Sequence, residues 1–167
     1  LAAHAGEAGA ADGTPALARY AAAWARQNLG RLDEAREGFR ALADAAATPL
    51  AARARLMEGE VLFEQGRHEE AIRVFFKLVA DQNADAAYRP WRAQAAYEAA
   101  RCFEVLRQTD QARRLYAEVV ERFPESPQVA AARTRLAALG GPLPRGAVGA
   151  AGEQGRRTDA DAGEGPR

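Results

Sequence analysis

Between Gly59 and Phe75 the chain reads Gly59-Glu-Val-Leu-Phe-Glu-Gln-Gly66-Arg-His-Glu-Glu-Ala71-Ile-Arg-Val-Phe75. This spacing fits two short helices folded back on one another. Gly59 and Ala71 fall where the two backbones must touch, and a side chain larger than theirs would push the axes apart. Glycine inside a helix costs about 1 kcal/mol relative to alanine, so Gly59 needs a packing reason. Gly66 falls where the chain must turn and a left-handed residue is wanted. Phe75 falls where a gap between neighbouring hairpins must be filled. One such hairpin cannot bury its apolar face by itself, so the feature demands further copies stacked against it.

Two more copies are present. The first runs Tyr20-Ala-Ala-Ala23-Trp-Ala-Arg-Gln-Asn-Leu-Gly30-Arg-Leu-Asp-Glu-Ala35, followed by Phe39. The third runs Tyr97-Glu-Ala-Ala100-Arg-Cys-Phe-Glu-Val-Leu-Arg107-Gln-Thr-Asp-Gln-Ala112, followed by Tyr116. Superposition pairs the close-contact residues as Ala23/Ala35, Gly59/Ala71 and Ala100/Ala112. It aligns Gly30, Gly66 and Arg107 at the turn, and Phe39, Phe75 and Tyr116 as the gap-filling rings. Arg107 breaks the glycine rule, so its turn must differ or carry strain.

Ala35 and Ala71 are 36 residues apart, and Ala71 and Ala112 are 41 apart. The surplus over a shorter common unit falls around 45–49 and 81–91. In the second of these Pro90 limits a continuous helix: either the following helix is extended and kinked, or a short separate turn precedes it. After the third copy comes Phe123-Pro-Glu-Ser-Pro127, then an Ala-rich segment ending at Gly140. Ser126 suits an N-cap, Pro127 the first helical turn and Gly140 the stop. Val129, Ala132, Leu136 and Leu139 share one face, as expected of a helix that closes an array.

The pattern predicts helices near 15–29, 32–46, 50–65, 68–81, 91–107, 109–123 and 127–139. Thr14-Pro15 reads as the N-cap and first helical position of the first helix. Three regions follow: a flexible segment 1–13, a repeat domain 14–140, and a disordered tail 141–167. The tail holds seven of the 15 glycines and no aromatic residue, too little apolar content to repay ordering.

Composition narrows the function. Lys+Arg and Asp+Glu each number 23, so the surplus of positive charge typical of nucleic-acid binding is missing. The abundant alanine favours helix. No apolar run reaches the ~18 residues of a membrane span. Cys102 is the only cysteine, so no intramolecular disulfide forms and the redox compartment stays open. The first residue is Leu1 and the only methionine is Met57, which reads as a processed form or a piece of a longer protein.

Candidate chemistry is sparse. Glu58, Glu60, Glu64, Glu69 and Glu70 lie on helix faces and helix starts, where acids are ordinary. No pocket signature gathers them for acid–base work. His68 and His4 have no cysteine nearby, so no metal site is expected. Cys102 reads as a small core residue, and Ser126, the only serine, as a cap. No glycine-rich loop leads into a lysine. Arg107, Arg113 and Arg114 alternate with Glu104, Asp110 and Glu118, the pattern of a solvated face. No enzymatic activity and no cofactor are expected.

With its seam, turn and gap-filling residues, the stretch 15–139 resembles the tetratricopeptide repeat family, whose period is about 34 residues. The resemblance implies an all-α right-handed solenoid of about three helix-turn-helix units plus a C-terminal closing helix. It implies a non-enzymatic interaction or scaffold module that holds a peptide or protein along its concave face. The family lines that face with the first helix of each unit, which here places Tyr20, Trp24, Gln27 and Asn28, then Arg53, Leu56, Glu60, Phe63 and Glu64, then Gln94, Tyr97, Arg101 and Glu104 in the groove. Trp24 and Tyr97 read as partner anchors or as packing against a neighbouring helix, and Trp91 as a rim contact or a plug. The alternative is a structural appendage that assembles homo-oligomers or belongs to an upstream domain. The Phe-Pro-Glu-Ser-Pro break with its Ala-rich helix resembles the bacterial envelope branch, that of the Tol-Pal coordinator proteins and outer-membrane assembly lipoproteins, which implies the periplasm or cell envelope.

Overall fold

A computed structural model describes residues 15–80 and 86–140. The expected flexible segment 1–13, the Thr14 cap and the expected disordered tail 141–167 lie outside the described residues. Seven α-helices make up nearly all the rest: α1 (Ala16–Asn28), α2 (Leu32–Ala45), α3 (Pro49–Glu64), α4 (His68–Val79), α5 (Arg89–Val105), α6 (Thr109–Arg122) and α7 (Gln128–Ala138). Among the described residues there is no strand.

Each helix packs on the next in chain order. In addition α1 touches α3, α3 touches α5 and α5 touches α7, whereas α2 and α4, and α4 and α6, do not meet. The first helices of the units therefore sit closer together than the second ones. The stack bends toward α1, α3 and α5, and these line its inner side. α7 occupies the place a fourth first helix would take.

The expected seam is built. Ala23, Ala35, Ala71, Ala100 and Ala112 are fully buried, as are Phe39, Phe75 and Tyr116. A β-carbon on Gly59 would stand 2.3 Å from the Phe75 ring, so the ring of the second unit lies flat on bare backbone. A further close approach went unforeseen: a β-carbon on Gly38 would come within 2.9 Å of the Ala23 β-carbon.

The three turns share one geometry. Gly30 N–H donates to Gln27 O and Arg31 N–H to Arg26 O; Gly66 to Phe63 and Arg67 to Leu62; Arg107 to Glu104 and Gln108 to Phe103, all at 2.8–3.0 Å. This is the paired closure that caps a helix with a left-handed residue. Gly30 and Gly66 adopt φ of +73° and +72°. Arg107 adopts φ of +59°, so the turn is kept and the arginine carries the strain.

The surplus residues are also explained. Thr48 Oγ1 accepts from Ala51 N–H at 3.1 Å with Pro49 in the first turn, a capped start for α3. Before α5 a separate single turn of 3₁₀ helix (Ala86–Tyr88) precedes a helix with Pro90 in its first turn, so there is no long kinked helix. Residues 81–85 lie outside the described residues. At α7 the start falls one place later than expected: Pro127 is the N-cap residue, the helix begins at Gln128 without a side-chain cap, and Ser126 Oγ, one residue before, accepts from Gln128 N–H at 3.3 Å.

Candidate functional site

The inner face divides into three parts. At the N-terminal part of α3, the Arg53 guanidinium stands 4.9 Å from the Tyr20 ring centre and 5.7 Å from that of Trp91. One cation thus bridges aromatic rings from α1 and α5. Trp91 packs against the main core, which answers its open reading in favour of packing.

The middle is acidic and partly withdrawn from water. Gln94 Nε2 donates to Glu60 Oε1 at 3.2 Å. Burial, aided by the neighbouring carboxylates of Glu98 and Glu64 and opposed by Arg101, pushes the Glu60 carboxyl up to about 7. Burial also raises Glu98, against its ion pair with Arg101 at 2.7 Å. On the α1 side, Gln27 Nε2 donates to Glu64 Oε1 at 2.7 Å. Trp24, 53 % exposed, stands free on the surface.

The third part lies at the C-terminal ends of α3 and α5. Arg101 stacks over Phe63 at 4.8 Å, and the His68 ring packs T-shaped against it, 5.0 Å between centres. Phe63, Arg101, Glu104, Val105, Arg107 and Arg135 line an open cavity of about 380 Å³. Glu104 accepts from the Tyr116 hydroxyl and lies 3.7 Å from Arg135.

The thirteen residues placed in the groove therefore part company. Arg53, Glu60, Phe63, Glu64, Gln94, Arg101 and Glu104 form the connected surface just described, and Gln27 joins it through Glu64. Trp24 and Asn28 are exposed on α1. Tyr97 is half-buried against Tyr116, 5.5 Å between ring centres. Tyr20 and Leu56, at 6 % and 2 % exposed, are core residues, and Tyr20 meets the inner face only beneath the Arg53 guanidinium. They precede the seam residue by three, and that register packs them under the next helix; Tyr20 meets Phe39 edge-on at 5.4 Å.

Sequence reasoning missed Glu98 and Arg135. Glu98 follows Gln94 by one helical turn and was visible from that spacing; Arg135 enters from α7, which carried no groove expectation. Glu58 is also no ordinary surface acid. At 5 % exposed it accepts from Arg55 at 2.9 Å, and Arg55 in turn holds Asp44 and lowers its carboxyl. Arg107 departs from Arg113 and Arg114: it joins the cavity, while Arg113 lies 3.8 Å from Asp110. Cys102 is fully buried, and desolvation pushes its thiol up to about 12. Among the described residues no three His, Cys, Asp or Glu side chains gather as a metal site, and no helix is long and apolar enough to cross a membrane.

The geometry defines a helical-repeat solenoid with a mixed polar and aromatic inner face. Residues 20–87 match a family model described as Tetratricopeptide repeat, and residues 86–136 match a second model of the same description. Over these residues the chain belongs to the tetratricopeptide repeat family, whose repeats mediate protein–protein interaction. No curated protein gives a significant match.

Proposed function

We propose that the inner face of α1, α3 and α5 holds a peptide or protein segment, and that the chain serves as a scaffold without chemistry of its own. The observation that carries this reading is the composition of that face. Exposed Trp24 and half-buried Phe63 and Tyr97 stand among charged side chains whose partners lie on neighbouring first helices. Aromatic anchors ringed by polar contacts are the usual makeup of a peptide-binding surface. Charge reversal at Arg101 or Glu60 is expected to weaken a bound partner by tenfold or more on the usual scale for buried interface charges, with the helical circular dichroism unchanged. Unaltered affinity of both variants in a pull-down overturns the reading.

A second reading rests on α1. Leu17 and Leu29 are 68 % and 72 % exposed, and Ala18, Ala21 and Ala25 are exposed beside them. The matching stripe on α3 and α5 includes the buried Ala54, Val61, Ala95 and Cys102. This face suits end-to-end assembly, or the seat of a further repeat. A sedimentation coefficient independent of concentration removes the assembly reading. A bacterial envelope setting rests only on the Phe123–Pro127 break, to which neither family match adds; recovery from the cytoplasmic fraction alone overturns it.

A further inference from the structure

The cavity at the C-terminal ends of α3 and α5 brings three guanidiniums, Arg101, Arg107 and Arg135, around one carboxylate, Glu104. The chain as a whole has no net charge, so this local excess is a departure from its average. Arg101 spends one nitrogen on Glu98 at 2.7 Å, and Arg135 stands 3.7 Å from Glu104. No carboxylate among the described residues forms an ion pair with Arg107.

The origin of that free arginine is visible by comparing turns. In the first two, the residue after the left-handed glycine is an arginine pinned by a glutamate three positions on. Arg31 grips Glu34 through two bonds at 2.7 and 2.6 Å, and Arg67 grips Glu70 through two at 2.7 Å. In the third turn the arginine moves back one place to the left-handed position itself. Gln108 follows it, and Gln111 stands where the glutamate would be. The chain there accepts the strain of a left-handed side chain, and the side chain so placed lines the cavity.

Helix capping does not account for it. Basic residues near a helix C-terminus often serve the last carbonyls, but three of the last four of α5 are already taken: Leu106 N–H bonds Cys102 O, Arg107 N–H bonds Glu104 O and Gln108 N–H bonds Phe103 O. The cavity also has an apolar wall, Phe63 and the half-exposed Val105. Planar guanidiniums match a carboxylate through paired N–H bonds.

We propose that this cavity takes the carboxylate of an aspartate or glutamate side chain in a partner peptide, with an adjacent apolar side chain against Phe63 and Val105. The proposal names the partner chemistry of the inner-face reading and rests on it.

Random peptides displayed on phage and selected on the full chain supply the probes, resynthesised with amidated C-termini for fluorescence anisotropy. Selected sequences are expected to carry Asp or Glu beside Leu, Phe or Met. Arg107→Gln with Arg135→Gln is expected to weaken them about tenfold, the low end for hydrogen bonds to charged groups. The peptide's Asp→Asn change is expected to cost a similar factor that does not add to the first. Arg107→Gly, which relaxes the turn, serves as the second variant and is expected to weaken binding while remaining folded. Acid-free sequences that still depend on Trp24 and Glu60 overturn the cavity proposal and leave the inner-face reading standing. Loss of binding on amidation assigns the site to a chain-terminal carboxylate and overturns the side-chain proposal, as does indifference to the arginine changes. Failure to select any peptide counts against both. Acidic peptides sensitive to the arginines but indifferent to Trp24 and Glu60 uphold the cavity and confine the binding surface to it.

Discussion

The second and third hairpins follow one plan and spend it differently. In the second, Gly59 leaves bare backbone under the Phe75 ring, and Gly66 turns the chain without strain. In the third, Ala100 lies opposite the bulkier Tyr116, and Arg107 turns the chain at a cost. Backbone hydrogen bonds at the two turns are the same. The frame is thus set by a few positions that must be small or left-handed. The side chains around that frame are free to vary, and it is there that the inner face acquires its charge and its arginine cavity.

Breaking the Gly59–Phe75 contact has the largest expected effect. Removal of the ring in Phe75→Ala opens a hole in the middle of the main core and is expected to cost about 3–5 kcal/mol in urea unfolding. In the intact chain Gly59→Ala drives a methyl into the ring and costs about 1–2 kcal/mol, overpacking outweighing the gain in helix propensity. In the Phe75→Ala background the same change fills space and is expected to stabilise by up to ~1 kcal/mol. Equal effects of Gly59→Ala in both backgrounds would show that the ring does not set the requirement for glycine. The counterpart in the third hairpin, Ala100→Gly, is expected to cost about 2 kcal/mol, about 1 for glycine in a helix and about 0.8 for the lost buried methyl.

The inner faces of the two hairpins meet where Gln94 donates to the half-buried Glu60 at 3.2 Å, and the withdrawal of that carboxyl from water sets a pH dependence. Glu60 is raised from an ordinary 4.5 to about 7, so the folded chain binds that proton more tightly than the unfolded one. The sign follows: its contribution is complete below pH 4.5 and is lost as the pH rises through about 7. Glu98, raised by burial, acts in the same sense, and Asp44 and Glu70, lowered by Arg55 and Arg67, act in the opposite sense at lower pH, so the contribution of Glu60 is read from the difference between the chain and a Glu60 variant. Glu60→Gln is expected to raise stability at pH 8 by on the order of 1 kcal/mol, after discounting for solvent, and to leave it unchanged at pH 4.5. Parallel stability–pH curves for the two chains would remove Glu60 as the titrating group.

The seam, the rings and the turns were legible in the sequence because each rests on a steric demand that few residue types can meet. The face of each first helix was less so. Helical spacing gives a direction within about a third of a turn, and Tyr20 and Leu56 fell on the wrong side of that margin. A side chain on a helix leans toward the preceding turn, which carries these two beneath the next helix. Glu58 was illegible for a different reason: its burial depends on Arg55 and Asp44 closing over it from two helices, and no local pattern records that. Arg135 reaches the cavity only because α7 packs beside α5, a contact fixed by the whole array.

The smallest expected effect tests the turn by exchange. Arg107→Gly releases a left-handed side chain, worth about 1–2 kcal/mol, and adds freedom to the unfolded chain, which takes back about 0.4–1 kcal/mol. A net gain of about 0.5–1 kcal/mol follows. Gly66→Arg reverses the exchange and is expected to lose a similar amount. A β-carbon on Gly66 meets nothing within 4 Å, so that loss is conformational and carries no clash. If Arg107→Gly lowers the melting temperature, the arginine makes a stabilising contact that outweighs its strain, and the third turn keeps it for the fold. If the melting temperature rises while acidic peptides bind less well, the strain is borne for the cavity, which is the stronger form of the difference between the two hairpins.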